Sequence, residues 1–297
     1  MRSGYVVGVG GANIDLCGRS YAPIEPRDSN PGEIELSAGG VTRNICDNLA
    51  RLGADVKLVS AVGDDLFGTL ICQQSERAGI DLSHLYRAQG RSSSMYLAIL
   101  DDSGDMHVAL SDMHILQNMP LDYLDSKRAL IAGADIVVTD PCMKPERFER
   151  VLSYCRPGQI VCVDPVSTAY ARALLPYIGS IHTVKPNRLE LEILAGQPAA
   201  TDAQLESACE TLLSRGVQRV FVSLGADGCF YMDAAGRRLR RKLRPVTHMV
   251  NATGAGDAFT AAMLYATMQG MTPEEILDWA LAAGIAAISH KDTINPA

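Results

Sequence analysis

Long apolar runs, paired cysteines and excess basic charge are all missing from this 297-residue chain, and each absence excludes a class of protein. No apolar stretch approaches the ~20 residues that span a bilayer, so no membrane partner is expected. The N-terminal "MRSGYVVGVGGANID" has too short an apolar part, and too many glycines, for a signal peptide. The eight cysteines fall singly, with no CxxC pair, which indicates neither a zinc site nor a disulfide framework and fits a reducing cytoplasm. A net charge of -7 leaves no basic footprint for nucleic acid. The one basic cluster, "RRLRRKLR" at 237–244, reads as a solvated strand face. No two of the six histidines sit at metal-ligand spacing. The phosphate loop GxxxxGK[ST] and the protein-kinase signatures are absent too.

What remains is an ordinary globular composition, 47% hydrophobic and 21% charged, with strands alternating with helices. "YVVGVGG" predicts a first strand. "VTRNICDNLARLG" has helical spacing and stops at Gly53, and "FGTLICQQSERAG" repeats that pattern. "DIVVTD", "QIVCVD", "SIHTVKP" and "RVFVSLG" are β-branched runs that end near polar residues or turns. Strands apolar throughout, with helices between them, predict a mainly parallel sheet covered on both faces. Ligands in such sheets bind beyond the carboxyl ends of the strands, which makes Asp140, Asp164, Lys185 and Gly225 candidates to line one cleft.

Two segments break the rhythm. "LCGRSYAPIEPRDSNPGEIELSAGG" is rich in proline, serine and acids, and "SSMYLAILDDSGDMHVALSD" reads as a β-hairpin turning at "DDSGD". A hairpin with a stray strand would make a small separate sheet, suited to close over a substrate as a lid, with a dimer contact as a compatible role.

"GVGGAN" at 8–13 is not a dinucleotide fingerprint, because its sixth position is Asn13 and no helix opens at Gly10. "NATGAGDAF" at 251–259 is more informative. Gly254, Ala255 and Gly256 can turn successive N–H groups outward just before an apolar helix, making an anion site at its N-terminus. Asp257 in that first turn is suited to take a proton from an attacking hydroxyl. Capping alone would explain the acid but not the glycines around Ala255.

These motifs resemble the PfkB, or ribokinase-like, carbohydrate kinase family nearly end to end. "GGANID", "SAGGVTRNICDNLARLG", "VGDDLFG", "KPNRLELE", "SLGADG" and "NATGAGDAF" stand in that family's order and spacing. The resemblance implies an α/β, ribokinase-like three-layer fold over residues 1–297: a mainly parallel central sheet flanked by helices, plus a small β lid from segments near 16–38 and 92–112. Within the family, "RDSNPG" and "GGVTRN" are most similar to the pseudouridine kinase branch. The implied reaction is ATP-dependent phosphorylation of the 5′-hydroxyl of a ribose, with Mg²⁺.

The resemblance also implies roles. Asp257 would be the base, and the N–H groups of Gly254, Ala255 and Gly256 the hole for the transferring phosphoryl group. Asn13 and Asp15, at the end of the first strand, would hold ribose hydroxyls. Gly39 and Gly40 would let the backbone approach the sugar, with Asn44 adding a hydrogen bond. Asn187 and Glu190 match an NxxE element that organises Mg²⁺ and phosphates, while Ser223, Gly225, Gly228 and Thr253 lie on the ATP side. Asp28, Ser29 and Asn30 would cover the base, with Ser111 and Asp112 as weaker candidates for that task. Two departures stand out. Asn251 replaces an acid that often helps order a monovalent cation such as K⁺, and Tyr170 replaces a basic residue expected of the branch. The implied partner is a small nucleoside or sugar, with a homodimer through the lid left open. Another sugar or nucleoside kinase of the family is the alternative, and a catalytically silent ligand-binding protein a weaker one.

Overall fold

The computed structural model describes residues 4–243 and 254–288. In chain order its first strands are β1 (Val6–Val9), β2 (Asn13–Ser20), β3 (Gly32–Gly39), β4 (Val56–Val59), β5 (Ala61–Gly63), β6 (Tyr86–Ala88), β7 (Met95–Leu100) and β8 (Met106–Asp112). Then follow β9 (Ile136–Thr139), β10 (Ile160–Val163), β11 (Thr183–Val184), β12 (Arg219–Ser223), β13 (Cys229–Asp233) and β14 (Arg238–Arg241). Eight of them form the main sheet in the order β14-β13-β12-β11-β10-β9-β1-β4. It is parallel from β4 to β12 and antiparallel at β13 and β14.

The period of two along these apolar strands divides their side chains between two cores. Val7, Val9, Val137, Val161 and Val163 pack with Phe148, Val151, Leu191, Leu194, Leu205 and Leu212 on one face. Val6, Ile136, Val138 and Cys162 pack with Ile45, Leu49, Phe259, Met263, Ile276 and Leu277 on the other. Helices Pro145–Tyr154, Arg188–Ala195 and Asp202–Ser214 therefore cover one side. Helices Val41–Arg51, Ala255–Met268 and Pro273–Ile288 cover the second. This is the expected three-layer α/β architecture with a mainly parallel centre.

The small sheet has four strands in the order β3-β2-β7-β8, built from two hairpins joined in parallel through β2 and β7. The expected hairpin at "DDSGD" is β7–β8. The expected stray strand is a second hairpin, β2–β3. Its alternation was obscured because its outer positions, such as Ile34 and Leu36, are apolar yet exposed. Asn13 and Asp15 consequently lie at the start of β2, on the small sheet, and not at the end of the first strand.

The chain leaves the main sheet through Gly10–Gly11 and returns through Gly39–Gly40, and these crossings touch. A Cβ on Gly40 would stand 2.5 Å from the Gly11 carbonyl oxygen, and Gly40 has φ of +97°. Only glycine fits both conditions. Asp140, fully buried beyond β9, binds the junction. Its Oδ2 accepts from the Gly11 N–H at 2.8 Å and from Thr42 Oγ1 at 2.5 Å, and its Oδ1 from the Cys142 N–H at 3.0 Å. No helix among the described residues is long and apolar enough to cross a membrane.

Asp140→Ala would leave those buried donors without acceptors, at about 1–3 kcal/mol for each group that water cannot reach. Urea denaturation should show a loss of about 2–4 kcal/mol at an unchanged m-value. A loss below about 0.5 kcal/mol, the scatter of an ordinary surface substitution, would mean that the glycine contacts hold the crossing without it.

Candidate active site

The parallel strands place their carboxyl ends on one edge, and the polar residues that follow them converge there. Asp164 follows β10 and Lys185 follows β11, both almost wholly buried. They form an ion pair at 3.1 Å, Lys185 Nζ to Asp164 Oδ2. Burial works against the charge on Lys185, but Asp164, Glu190 and Asp257 outweigh it and raise its pKa. Above this pair lies the helix Ala255–Met268, whose N-cap Gly254 has φ of +82°. The first intrahelical bond runs from the Ala258 N–H to the Gly254 carbonyl, 2.9 Å, so the amides of Ala255, Gly256 and Asp257 precede the helical ladder. Gly256 sits directly over Lys185, since a Cβ on it would lie 3.3 Å from Nζ. The free amides favour an anion at this turn, and Lys185 beneath them adds a positive charge that its ion pair with Asp164 partly offsets.

Asp257 faces that field from the inside. Its side chain is buried, and its Oδ2 accepts a hydrogen bond from Asn44 Nδ2 at 2.9 Å. Burial, reinforced by the charges of Asp164 and Asp15, pushes its pKa up to about 7 against the pull of Asn44 and Lys185. A carboxylate with that pKa is half ionised near neutrality and can accept a proton from a hydroxyl.

The sugar-side residues expected from the sequence gather next to it. Asn13 Nδ2 donates to Asp15 Oδ1 at 2.6 Å. Burial raises the Asp15 pKa against the opposing effects of Asn13 and Arg43. Asn13 pairs with Gly39 across β2 and β3, and a Cβ on Gly39 would come 2.1 Å from Asp15 Oδ2. Ser111 shares this end of the small sheet, because it pairs with Tyr96, which pairs with Asp15. Tyr170, on the helix Thr168–Leu174, meets Ser111 and Cys142 there through its hydroxyl. Asn44, expected to bond a sugar, gives one of its two amide N–H groups to Asp257.

Most of the residues expected on the nucleotide side meet at a second place on the same edge. Asn187, Arg188, Leu189, Ser223, Leu224 and Gly225 line a cavity of about 230 Å³. Asn187 and Glu190 form a capping box on the helix Arg188–Ala195: Asn187 Oδ1 accepts from the Glu190 N–H at 2.9 Å, and Glu190 Oε2 from the Asn187 N–H at 2.8 Å. One Glu190 oxygen stays outside the box; burial raises the Glu190 pKa and Asp164 adds to that, while the Asn187 N–H and Lys185 pull it down. Among the described residues no group of three or more His, Cys, Asp or Glu side chains could hold a metal ion. This donor set fits Mg²⁺ bound through its own waters, as that ion prefers, and not a closed protein cage. Gly228 is a packing glycine, since a Cβ there would strike the Arg241 carbonyl at 2.0 Å.

Ser29 and Asn30 are not brought to this site within one chain. They lie in the loop at the opposite end of the β2–β3 hairpin, and seven residues of strand separate Ser20 from Asn13, roughly 23 Å at ~3.3 Å per residue. Asn30 uses its amide on its own loop, with Oδ1 accepting from the Glu25 N–H and Nδ2 donating to the Glu25 and Asp28 carbonyls. Asp28 accepts from the Ser29 N–H. Asn251 and Thr253, and with them the cation question, lie outside the described residues. Asp164 and Lys185 carry more of the site's charge than the motifs suggested. Their only signal was position, the first polar residue after an apolar strand.

A profile of pfkB family carbohydrate kinases matches residues 3–297. The chain is 35% identical over 293 residues to the pseudouridine kinase of Escherichia coli (strain K12), covering 98% of this chain and 93% of that protein. It is also 35% identical over 293 residues to an uncharacterised sugar kinase, YeiI, of the same strain, covering 98% and 80%. A crystal structure from Clostridium perfringens, assigned to the sugar kinases, is 37% identical and superposes with a TM-score of 0.86, covering 100% of this chain and 93% of that one. A family profile matching from residue 3 to residue 297 and two relatives above 30% identity establish that the chain belongs to the pfkB family of carbohydrate kinases, phosphotransferases that act on a hydroxyl group.

Proposed function

We propose that this protein transfers the γ-phosphoryl group of ATP to the ribose 5′-hydroxyl of pseudouridine, giving pseudouridine 5′-phosphate and ADP. One observation carries the phosphoryl transfer: a buried carboxylate, Asp257, with its pKa near 7, at the mouth of a helix whose first amides are free of the ladder. The choice of acceptor is supported by the likeness to the Escherichia coli pseudouridine kinase. Asn13, Asp15 and the backbone at Gly39 and Gly40 orient the ribose so that its 5′-oxygen faces Asp257. As that oxygen attacks the γ-phosphorus, its proton passes to Asp257 and the bond to the β–γ bridging oxygen breaks. The amides of Gly254, Ala255 and Gly256, with Lys185 beneath them, stabilise the charge on the transferring group. Asn187, Ser223 and Gly225 hold the nucleotide side. Asn187 and Glu190 would organise Mg²⁺ through its waters, and the bound ion would supply neutralisation of phosphate charge. Closure of the small sheet over the sugar would exclude water.

A second reading keeps the mechanism and changes the acceptor to another nucleoside or a free sugar. Its support is that Ser29 and Asn30 stand away from the site in a single chain, that Tyr170 occupies the cleft, and that an uncharacterised sugar kinase is equally similar. ADP release with Mg-ATP against pseudouridine, uridine, adenosine, ribose and fructose 6-phosphate separates the two. A strong preference for pseudouridine is expected. Faster turnover of ribose or another nucleoside would replace the acceptor.

Asp257→Asn keeps the shape and removes the proton acceptor. Turnover should fall roughly 10²–10⁴-fold with little change in nucleoside binding by calorimetry. Near-normal turnover would remove Asp257 as the base. In the parent enzyme the base works ionised, so kcat/KM should drop about tenfold per pH unit below pH 7. A profile flat down to pH 5 contradicts this assignment.

The same raised pKa has a cost in stability. In the unfolded chain Asp257 ionises near the ordinary aspartate value of 3.8, but in the folded chain only at about 7. Folding therefore retains a proton between those values, and the stabilisation it brings is lost as pH rises through them. Asp257→Asn should accordingly melt higher than the parent at pH 8, with the difference shrinking towards pH 4. Equal melting temperatures at both pH values would argue against a buried, strained charge.

A further inference from the structure

Arg43 has no part in the chemistry described so far, yet it is the largest fully buried side chain among the described residues. It occupies the third position of the helix Val41–Arg51 and each of its nitrogens is engaged. Nε donates to Ser75 Oγ at 3.1 Å, and Nη2 to Asp47 Oδ2 at 2.6 Å. Nη1 donates both to the Ala38 carbonyl at 3.0 Å and to Asn44 Oδ1 at 3.1 Å. Asp47 is held in turn by Arg51, whose Nε lies 2.6 Å from its other oxygen.

The last two contacts of Arg43 reach the active site. Asn44 hands its Nδ2 to Asp257. An asparagine amide is nearly symmetric in shape, so packing alone does not decide which end faces a carboxylate. Guanidinium is a donor without an acceptor. With Arg43 on one side and Asp257 on the other, the amide has a single favourable orientation, oxygen to Arg43 and NH₂ to Asp257. The Ala38 carbonyl immediately precedes Gly39, the glycine packed on Asp15. The Ala38 N–H is bound by Gln74 Oε1 at 3.2 Å, so both backbone groups of that residue are clamped by side chains. An ion pair with Asp47 would need neither contact. A lysine in this place would keep the charge, but its single nitrogen could not serve four acceptors on different sides.

We infer that Arg43 is a positioning residue for the phosphoryl transfer: its guanidinium fixes the Asn44 amide that supports Asp257 and, through Ala38, the strand end beside Gly39. The inference rests on Asp257 as the base.

The test is a double-mutant cycle of Arg43→Lys and Asn44→Ala on the full-length protein, reading kcat, KM and the acid limb of the pH–rate profile, with thermal melts in parallel. Arg43→Lys should lower kcat by about tenfold to hundredfold, the scale of a small misplacement at the reacting groups. Its acid limb should move to higher pH, because the Asn44 donor that favours ionised Asp257 is lost while Asp164, Lys185 and Asp15 still face the carboxylate. In the Asn44→Ala background the same change should move the acid limb no further, while the loss that runs through Ala38 remains. An acid limb displaced just as far in that background, or a lower melting temperature with kcat and the acid limb as in the parent, would overturn the inference. Should Arg43→Lys not fold, Ser75→Ala decides it, since it frees Nε and leaves the ion pair with Asp47 intact. A limb displaced in the same direction supports the inference, and an unmoved limb defeats it. A fully active Asp257→Asn enzyme would instead dismiss the base while leaving the Arg43–Asn44 coupling measurable.

Discussion

The contact between the two glycine crossings is the constraint on which the rest of the structure depends. Gly10–Gly11 and Gly39–Gly40 carry the chain out of the main sheet and back, and their backbones come so close that no side chain fits between them. Asp140 binds that contact from the main sheet. Everything on the sugar side is measured from this point. β2 starts two residues beyond Gly11, β3 ends at Gly39, and the helix carrying Arg43 and Asn44 starts just after Gly40. A shift at the junction would move Asn13, Asp15 and the support of Asp257 together.

The electrostatics follow from that geometry. Asp164, Glu190 and Asp257 lie buried around Lys185, and the partly exposed Asp15 adds its charge to the surroundings of Asp257. A lone buried carboxylate would simply stay protonated. Here Lys185 and the Asn44 amide pull back against burial and against the neighbouring acids, which leaves Asp257 near neutrality. Such a carboxylate is suited to proton transfer, and the burial that raises its pKa works against stability at high pH.

Much of this was legible in the chain. Apolar runs ending in Asp140, Asp164 and Lys185 pointed to one cleft, because parallel strands must present their ends on one edge. Two glycines around Ala255 pointed to an anion site, because capping does not need them. Other features left little trace. The polar loop with Ser29 and Asn30 reads as a binding surface by composition, but a strand pair fixes its distance from the site, and pairing is not a local property. Asn187 and Glu190 read as metal organisers, although their spacing equally encodes a capping box, and in the fold they form one. Arg43 sits among apolar neighbours in "GGVTRNICDNLA". Its value depends on Ala38, Asn44, Asp47 and Ser75 arriving around it, which only the folded helix and sheet arrange.

The basic run at 237–244 has a meaning that composition did not supply. Its described part contains β14, the outermost strand of the main sheet at that side, and an outermost strand exposes unpaired N–H and C=O groups to any other chain. Arg238, Arg240 and Arg241 bridge instead to Glu206, Glu210, Asp202 and Asp278 on the covering helices. A second strand trying to add there would have to displace those bridges and sit against a row of guanidinium groups. Among the described residues, an edge held by ion pairs of this kind disfavours the addition of a further strand at this border.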